Sequence, residues 1–301
     1  MARPLRLEFP GAVYHITARS NHREPIFLDD EDRLRFIDLL SKEVKQQGWL
    51  LFAFCLMDNH YHLLLETPQP NLVRGMRRLN GVYTQAFNRA HSLVGHVLQG
   101  RYKSILVDKD TYLRELCRYV VLNPMRVKKP LAKSLAHYPW SSYLATAGRM
   151  PVPDWLAVAP VLALFGKSKP AAIKAYERFV AEGLKAPSPW SELSAQVYLG
   201  RKPFLKRMQR LAAKQPGENI PRAHRQPARP DAQAVLSDVA KRYGLDRRQV
   251  LDRSHLQAFR SAVYRLRREA NLPLREVAAI ARVSPGRISQ IQTEMERDGR
   301  L

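Results

Sequence analysis

Leu51 to Glu66 reads LFAFCLMDNHYHLLLE. An apolar run from Leu51 to Met57 meets a polar step at Asp58-Asn59; a second run opens His60-Tyr61-His62 and continues Leu63-Leu64-Leu65. Apolar and aromatic residues on both sides of a two-residue polar turn predict a tight β-hairpin. Side chains two apart on a strand share a face, so His60 and His62 project together and Tyr61 projects the other way. Neutral imidazoles are common metal ligands, and two on one face supply half of a site. An arbitrary His-x-His usually sits on the wet side of an edge strand. Here the flanking residues are so apolar that the strand is expected to be central, where polar side chains need a partner.

The chain has 301 residues, enough for two domains as a starting expectation. Lys and Arg total 50 against 27 Asp and Glu, a formal net charge of +23. That excess predicts attraction to polyanions, most simply nucleic acid, weakening as salt rises. A generally basic proteome would give the same excess. Cys55 and Cys117 both lie in apolar segments and read as core thiols. The N-terminal MARPLRLEFPG lacks the apolar run of a secretory leader, and no apolar run is long enough to span a bilayer. A cytoplasmic setting without a membrane partner is expected.

Outward from the hairpin, Ala12 to Arg19 alternates and reads as a strand, preceded by a Pro10-Gly11 turn. His15 within it reads as a packed residue rather than a ligand. Asp29 to Asp32 opens a helix whose apolar face includes Leu34, Phe36, Leu40 and Val44, and Gln47-Gly48 closes it. A second helix, from Asn71 to about His91, has Leu72, Met76, Leu79, Val82, Tyr83, Ala86 and Phe87 as its buried stripe. Its outer face carries Arg74, Arg77, Arg78 and Arg89, expected near the hairpin's end. Tyr102 to Val107 reads as a strand and Thr111 to Asn123 as a helix. The order β-α-β-β-α-β, then a helix, predicts an α+β fold of ferredoxin-like type, with an antiparallel sheet and helices on one face. Arg19, Arg23, Arg74, Arg77, Arg78, Arg101 and Lys103 are the expected nucleic-acid contacts of this part.

Tyr138-Pro-Trp-Ser-Ser-Tyr143 predicts an aromatic turn docked on that domain. Val161 to Leu164 and Ala171 to Leu184 read as helical, and Lys214 to Pro230 as a basic linker. From Asp231 the pattern is all-α. Leu274 to Ala281, a short turn at Arg282-Val283, and a helix opened by Ser284-Pro285-Gly286 fit a helix-turn-helix. Arg287, Ser289, Gln290 and Gln292 are the groove-facing candidates, Arg287 and Gln290 foremost. The expected division is 1–145, 146–230 and 231–301.

A histidine pair is an incomplete site. Tyr119 and Asn123, four apart in TYLRELCRYVVLNPMRV, share a helical face. The Asn123 amide oxygen is the candidate third ligand. Imidazole plus amide oxygen suits Mg2+ or Mn2+, with open positions for phosphate and water. Tyr119 is then the candidate nucleophile; a covalent phosphotyrosine conserves the bond energy for a later joining step. Tyrosine ordinarily ionises near a pKa of about 10, so the phenol needs help, and no base is identifiable. Tyr112 competes, but no polar residue lies at the matching spacing. Pro124 disfavours helical geometry at Asn123.

NHYHLLLE together with RYVVLNPMRV resembles the REP-associated tyrosine transposases, relatives of the single-tyrosine HUH transposases. AVYHITARSNHREPIF and YPWSSY extend the resemblance over about Met1 to Tyr143. It implies a ferredoxin-like HUH nuclease domain in which His60 and His62 match the metal ligands, Tyr119 the nucleophile and Asn123 the polar ligand. It further implies cleavage of single-stranded DNA near hairpins of REP-like palindromes, leaving a 5′-phosphotyrosine and a free 3′-OH. The tail from about Ala232 resembles the DNA-binding domain of the bacterial replication initiator, which implies double-stranded DNA as a further partner. A monomer or a homodimer fits equally. Two other readings stay open: a sequence-specific regulator with an inactive nuclease domain, and a metal-dependent RNA phosphodiesterase using water.

Overall fold

The computed structural model describes residues 7–20, 24–194, 196–213, 230–270 and 272–297. The expected contact Arg23 and nearly all of the expected linker lie outside the described residues. The chain divides into two units, Met1–Ile220 and Pro221–Leu301.

The first unit is built on a sheet. Strands β1 (Ala12–Arg19), β2 (Leu50–Met57), β3 (His60–Thr67), β4 (Lys103–Val107) and β5 (Tyr198–Leu199) lie in the order β2-β3-β1-β4-β5. The hairpin forms as its sequence predicts: Met57 faces His60 across an antiparallel ladder, and β3 is central, between β2 and β1. Four strands are antiparallel and give the expected α+β ferredoxin-like order. β5 departs from the expectation of a wholly antiparallel sheet, because it pairs parallel to β4.

Helices α1 (Asp30–Gln47) and α2 (Leu72–Ala90) cover one face. Tyr61 shows which: its ring packs 4.7 Å from Phe36 of α1, and its hydroxyl donates to Asn80 of α2. Asp29 caps α1 by accepting from the Asp32 amide. Gly48 ends it at φ 68°, a left-handed geometry that glycine adopts without strain. Leu34 and Val82, counted with the buried stripes, are 58% and 38% exposed, at the margins of their faces. Helix α3 (Lys109–Leu122) packs on β2 and β3. It lies on the opposite face, where His62 meets Tyr119, so the third helix does not join the single helical layer expected.

Both sheet edges are covered, which removes the exposed ladder that invites edge-to-edge association. On β2, the Leu56 amide donates to the Trp140 carbonyl, the Ser142 amide to the Phe54 carbonyl, and the Tyr138 hydroxyl to the Leu56 carbonyl. The predicted aromatic turn is thus docked on the first domain. Helices α4 (Tyr143–Thr146), α5 (Val158–Leu162), α6 (Lys169–Glu182) and α7 (Lys202–Ala213) come next in the chain. Their Val158, Val161, Tyr176, Val180 and Met208 are buried in the same core as the sheet. Cys55 and Cys117 are free and buried, as expected.

The second unit is all-α around its own core: α8 (Ala232–Tyr243), α9 (Leu256–Arg268), α10 (Leu274–Ala281) and α11 (Pro285–Arg297). Arg282 takes a left-handed geometry at φ 50°, and the Val283 amide donates to the Ala278 carbonyl. The turn between α10 and α11 is therefore short and fixed, and Ile288 and Ile291 fill the angle. Among the described residues no helix is long and apolar enough to cross a membrane.

Candidate active site

Register places the histidines. In an antiparallel pair, facing residues share a side of the sheet. His60 faces Arg19 and His62 faces Thr17 on β1, while Thr17 faces Lys103 on β4. One side of the sheet thus carries His15, Thr17, Arg19, His60, His62 and Lys103. The rings of His60 and His62 lie 4.9 Å apart.

Helix α3 lays Tyr119 over this side, its ring 6.1 Å from His62 and 6.1 Å from His15. Leu113, Leu116, Cys117 and Val120 hold the helix by burying against the sheet. The disturbance expected at Asn123 before proline does not occur. Asn123 keeps a helical φ of −51° and ψ of −44°, and the chain continues into a tighter turn, Asn123–Met125, that takes Pro124 in its first positions. Tyr119 and Asn123 therefore do share a face. A cavity of about 390 Å³ opens there, lined by Thr17, Ala18, Arg19, His60, His62, Gln99, Arg101, Lys103, Tyr119 and Asn123. The nucleophile candidate and all three ligand candidates meet in one chain.

The donor atoms fit a divalent cation. His60 Nδ1 lies 2.7 Å from Asn59 Oδ1, a carbonyl that can only accept. The proton sits on Nδ1, and Nε2 keeps its lone pair. His62 Nδ1 lies 3.0 Å from His15 Nε2, and His62 Nε2 is buried with no partner. An orphaned imidazole nitrogen on a cavity wall is costly unless a ligand takes it. The Asn123 amide nitrogen donates to the Tyr119 and Val120 carbonyls, 3.0 and 3.1 Å away, which turns its oxygen to other use. Burial, with the Arg19 guanidinium nearby, pushes His60 down to about 4 from the ordinary 6.5. Burial, reinforced by His15, His60 and Arg19, holds His62 well below 6.5. Both imidazoles are thus neutral at physiological pH, the form that binds metal.

Of the expected nucleic-acid contacts, Arg19, Arg101 and Lys103 line the cavity and are exposed. Arg74, Arg77 and Arg78 do not. They ride on α2, on the Tyr61 side of the sheet, where Arg74 donates to Gln47 Oε1 and Arg78 pairs with the buried Glu43. In the second unit, Arg287 donates to Gln290 and Glu294 of its own helix. Arg287 also lines a hollow of about 410 Å³ with Arg253, Leu256, Phe259, Val283 and Ser284.

His15, expected to be a packed residue, is buried against His62; Gln99, Arg126 and Trp190 are not singled out by the sequence. Arg126 has its guanidinium 5.8 Å over the Tyr119 ring, and Trp190 packs edge-on to that ring at 5.1 Å. Neither carries a local signal. A separate group, Asp29, Asp32 and His91, also brings three possible ligand atoms within 4.8 Å. Its oxygens are already engaged: Asp29 caps α1, and Asp32 Oδ2 accepts from the Leu28 amide and lies 2.8 Å from His91 Nε2.

Comparison with known proteins bears on the first unit. No curated protein matches the chain. A solved structure described as a REP-associated tyrosine transposase bound to a REP hairpin aligns with 50% of this chain and 90% of its own, at 18% identity and a TM-score of 0.42. A Deinococcus radiodurans protein described as a transposase aligns with 41% of this chain and 95% of its own, at 21% identity and a TM-score of 0.29. Both scores are too low to establish a shared fold. The family model that matches is that of the IS200-like transposases, over residues 9–123, the span from the first strand to Asn123. Residues 9–123, fewer than half of the chain, are thus similar to the IS200-like transposases.

Proposed function

We propose that the chain is a metal-dependent, single-strand-specific DNA endonuclease and strand transferase that acts at hairpin-forming palindromes through Tyr119. The observation carrying this reading is the meeting of His60, His62, Tyr119 and Asn123 in a cavity rimmed by Arg19, Arg101 and Lys103. Exposed cations at a narrow cavity suit a phosphate backbone, and a single strand bends into such a space more readily than a duplex.

Tyr119 Oη would attack the scissile phosphorus in line. The new Oη–P bond forms as the P–O3′ bond breaks. The phenol proton passes to solvent, and the departing O3′ takes a proton and leaves as a 3′-OH. The 5′ side remains as a phosphotyrosine ester. Attack by another 3′-OH reverses the step, so joining needs no further energy source. Mg2+ or Mn2+, held by His60 Nε2, His62 Nε2 and Asn123 Oδ1, would polarise the phosphate and offset its developing charge. Arg19 and Arg101 would hold the flanking phosphates. The hairpin preference is supported by the resemblance of NHYHLLLE and RYVVLNPMRV to the REP-associated tyrosine transposases. The second unit is proposed to bind duplex DNA through the first turn of α11, supported by the short fixed turn before it and by Arg253 and Arg287 beside it. Its inclusion leaves monomer and homodimer both compatible, and the two free thiols suit a cytoplasmic setting.

The test incubates the full chain with end-labelled hairpin DNA and Mn2+, then runs a denaturing gel. A covalent protein–DNA adduct is expected, lost on chelation and in Tyr119→Phe and His62→Ala. Cleavage persisting in Tyr119→Phe would replace the phenol by water as nucleophile. Tight binding by the wild type with no cleavage would favour a DNA-binding regulator.

A further inference from the structure

The family match ends at Asn123, yet the ring of Tyr119 is walled by residues far beyond it. Trp190 stands edge-on to Tyr119, with centroids 5.1 Å apart and planes at 85°, and tilts onto His15 at 4.7 Å and 36°. It sits in a tight turn, Pro189–Glu192, whose own bonds make it rigid. Ser188 Oγ accepts from the Trp190 amide, and Ser191 Oγ donates to the Ser188 carbonyl. The turn is pinned to α3 by a hydrogen bond from the Tyr112 hydroxyl to Glu192. Just upstream, Arg126 donates to the carbonyls of Gly183 and Ala186, which sets its guanidinium over the same phenol ring. Trp190 does not line the cavity. It packs against the tyrosine ring from outside that cavity.

We propose that residues 183–192 form a positioning clamp for Tyr119, with Trp190 as its principal residue. This rests on the reading of Tyr119 as nucleophile. The physical need is specific. A phenol on a helix can rotate about two side-chain bonds, and in-line attack tolerates little misplacement of its oxygen. His15 and His62 bound the ring on the sheet side; Trp190 and Arg126 bound it on the others. With both walls in place the ring has one orientation, the one that faces the cavity.

The test measures single-turnover adduct formation at saturating hairpin DNA with Mn2+, together with DNA affinity, for the full chain and for Trp190→Ala and Trp190→Phe. Loss of the wall is expected to slow the maximal rate about ten- to a hundredfold in Trp190→Ala. DNA affinity should be unchanged, and Trp190→Phe, which restores an aromatic edge, should recover most of the rate. A wild-type rate in Trp190→Ala overturns the proposal. So does a loss confined to DNA affinity, or a Phe variant as slow as Ala. If Trp190→Ala melts below the assay temperature, Trp190→Leu is read by the same criteria. Tyr119→Phe in parallel separates the two ideas: an adduct surviving there sinks the nucleophile assignment, whatever Trp190 does.

Discussion

A histidine that ligates a metal must present one nitrogen and protonate the other, and in the proposed site His62 would rely on His15 for this. His15 Nε2 lies 3.0 Å from His62 Nδ1, and their rings stack at 5.2 Å. Burial pushes His15 itself down to about 3, so it stays neutral and can accept from His62 Nδ1–H. In that tautomer Nε2 of His62 would be the ligating atom of the proposed site. Removing such a partner typically costs about 10–100-fold in metal affinity. His15→Ala is therefore expected to weaken Mn2+ binding by about that factor, read by titration calorimetry on the cation-free full chain, with the melting temperature checked in parallel. Wild-type affinity in that variant would mean that packing alone orients His62. The pair and its partner also show what could be read from the chain. His60 and His62 are two apart on a strand, Tyr119 and Asn123 four apart on a helix, and both spacings are local. The His15–His62 contact spans 47 residues and needs the strand register.

Elements were legible where their pattern was periodic. The hairpin was read from two apolar runs about a polar turn, α1 from its acidic start and glycine end, and α2 from its apolar stripe. The faces that elements turn toward one another were not. The arginines of α2 are on its outer face as read, but α2 lies on the Tyr61 side of the sheet, away from the cavity. β5 has only two residues, in a segment rich in Pro and Arg, so no period announces it. The join between α1 and α2 is tight. Trp49, 3% exposed, fits against Gly75 of α2, and its indole nitrogen donates to Asn71 at 2.8 Å. A Cβ on residue 75 would lie 2.3 Å from Trp49 Cζ2 and 2.5 Å from Cη2. The ring cannot swing aside without losing that bond. Overpacking of this kind costs about 1–3 kcal/mol. Gly75→Ala should therefore lower the melting temperature by about 2–4 °C for each kcal/mol lost, with the adduct chemistry intact at low temperature. An unchanged melt would show that α2 can shift outward freely.

At the scale of the molecule, the boundary suggested by the sequence near residue 145 and the packing of the chain point to different working units. Residues 9–123 carry the family match and every proposed chemical group. Yet the sheet of the first unit leans on residues well past 145. The Leu106 amide donates to the Val197 carbonyl and the Asp108 amide to that of Leu199, each at 2.8 Å, closing the β4 edge. The Ala157 amide donates to the Leu51 carbonyl on the other edge. Arg118 of α3 lies 4.1 Å over the Phe179 ring, and Tyr176, Val180 and Leu199 are buried in the common core. Cutting at 145 would strip these covers together, opening the β4 edge, the Leu51 end of β2 and apolar surface beneath α3, the helix that carries Tyr119. Cutting at 213 would remove none of them. We therefore expect a 1–213 fragment to melt cooperatively and to form the hairpin adduct at the rate of the full chain. A 1–145 fragment should bind a hydrophobic dye, melt broadly and form little adduct. Circular dichroism and the gel assay on both fragments decide the matter. Equal adduct rates from the two would show that the extension is a passenger on a nuclease core able to position its own tyrosine.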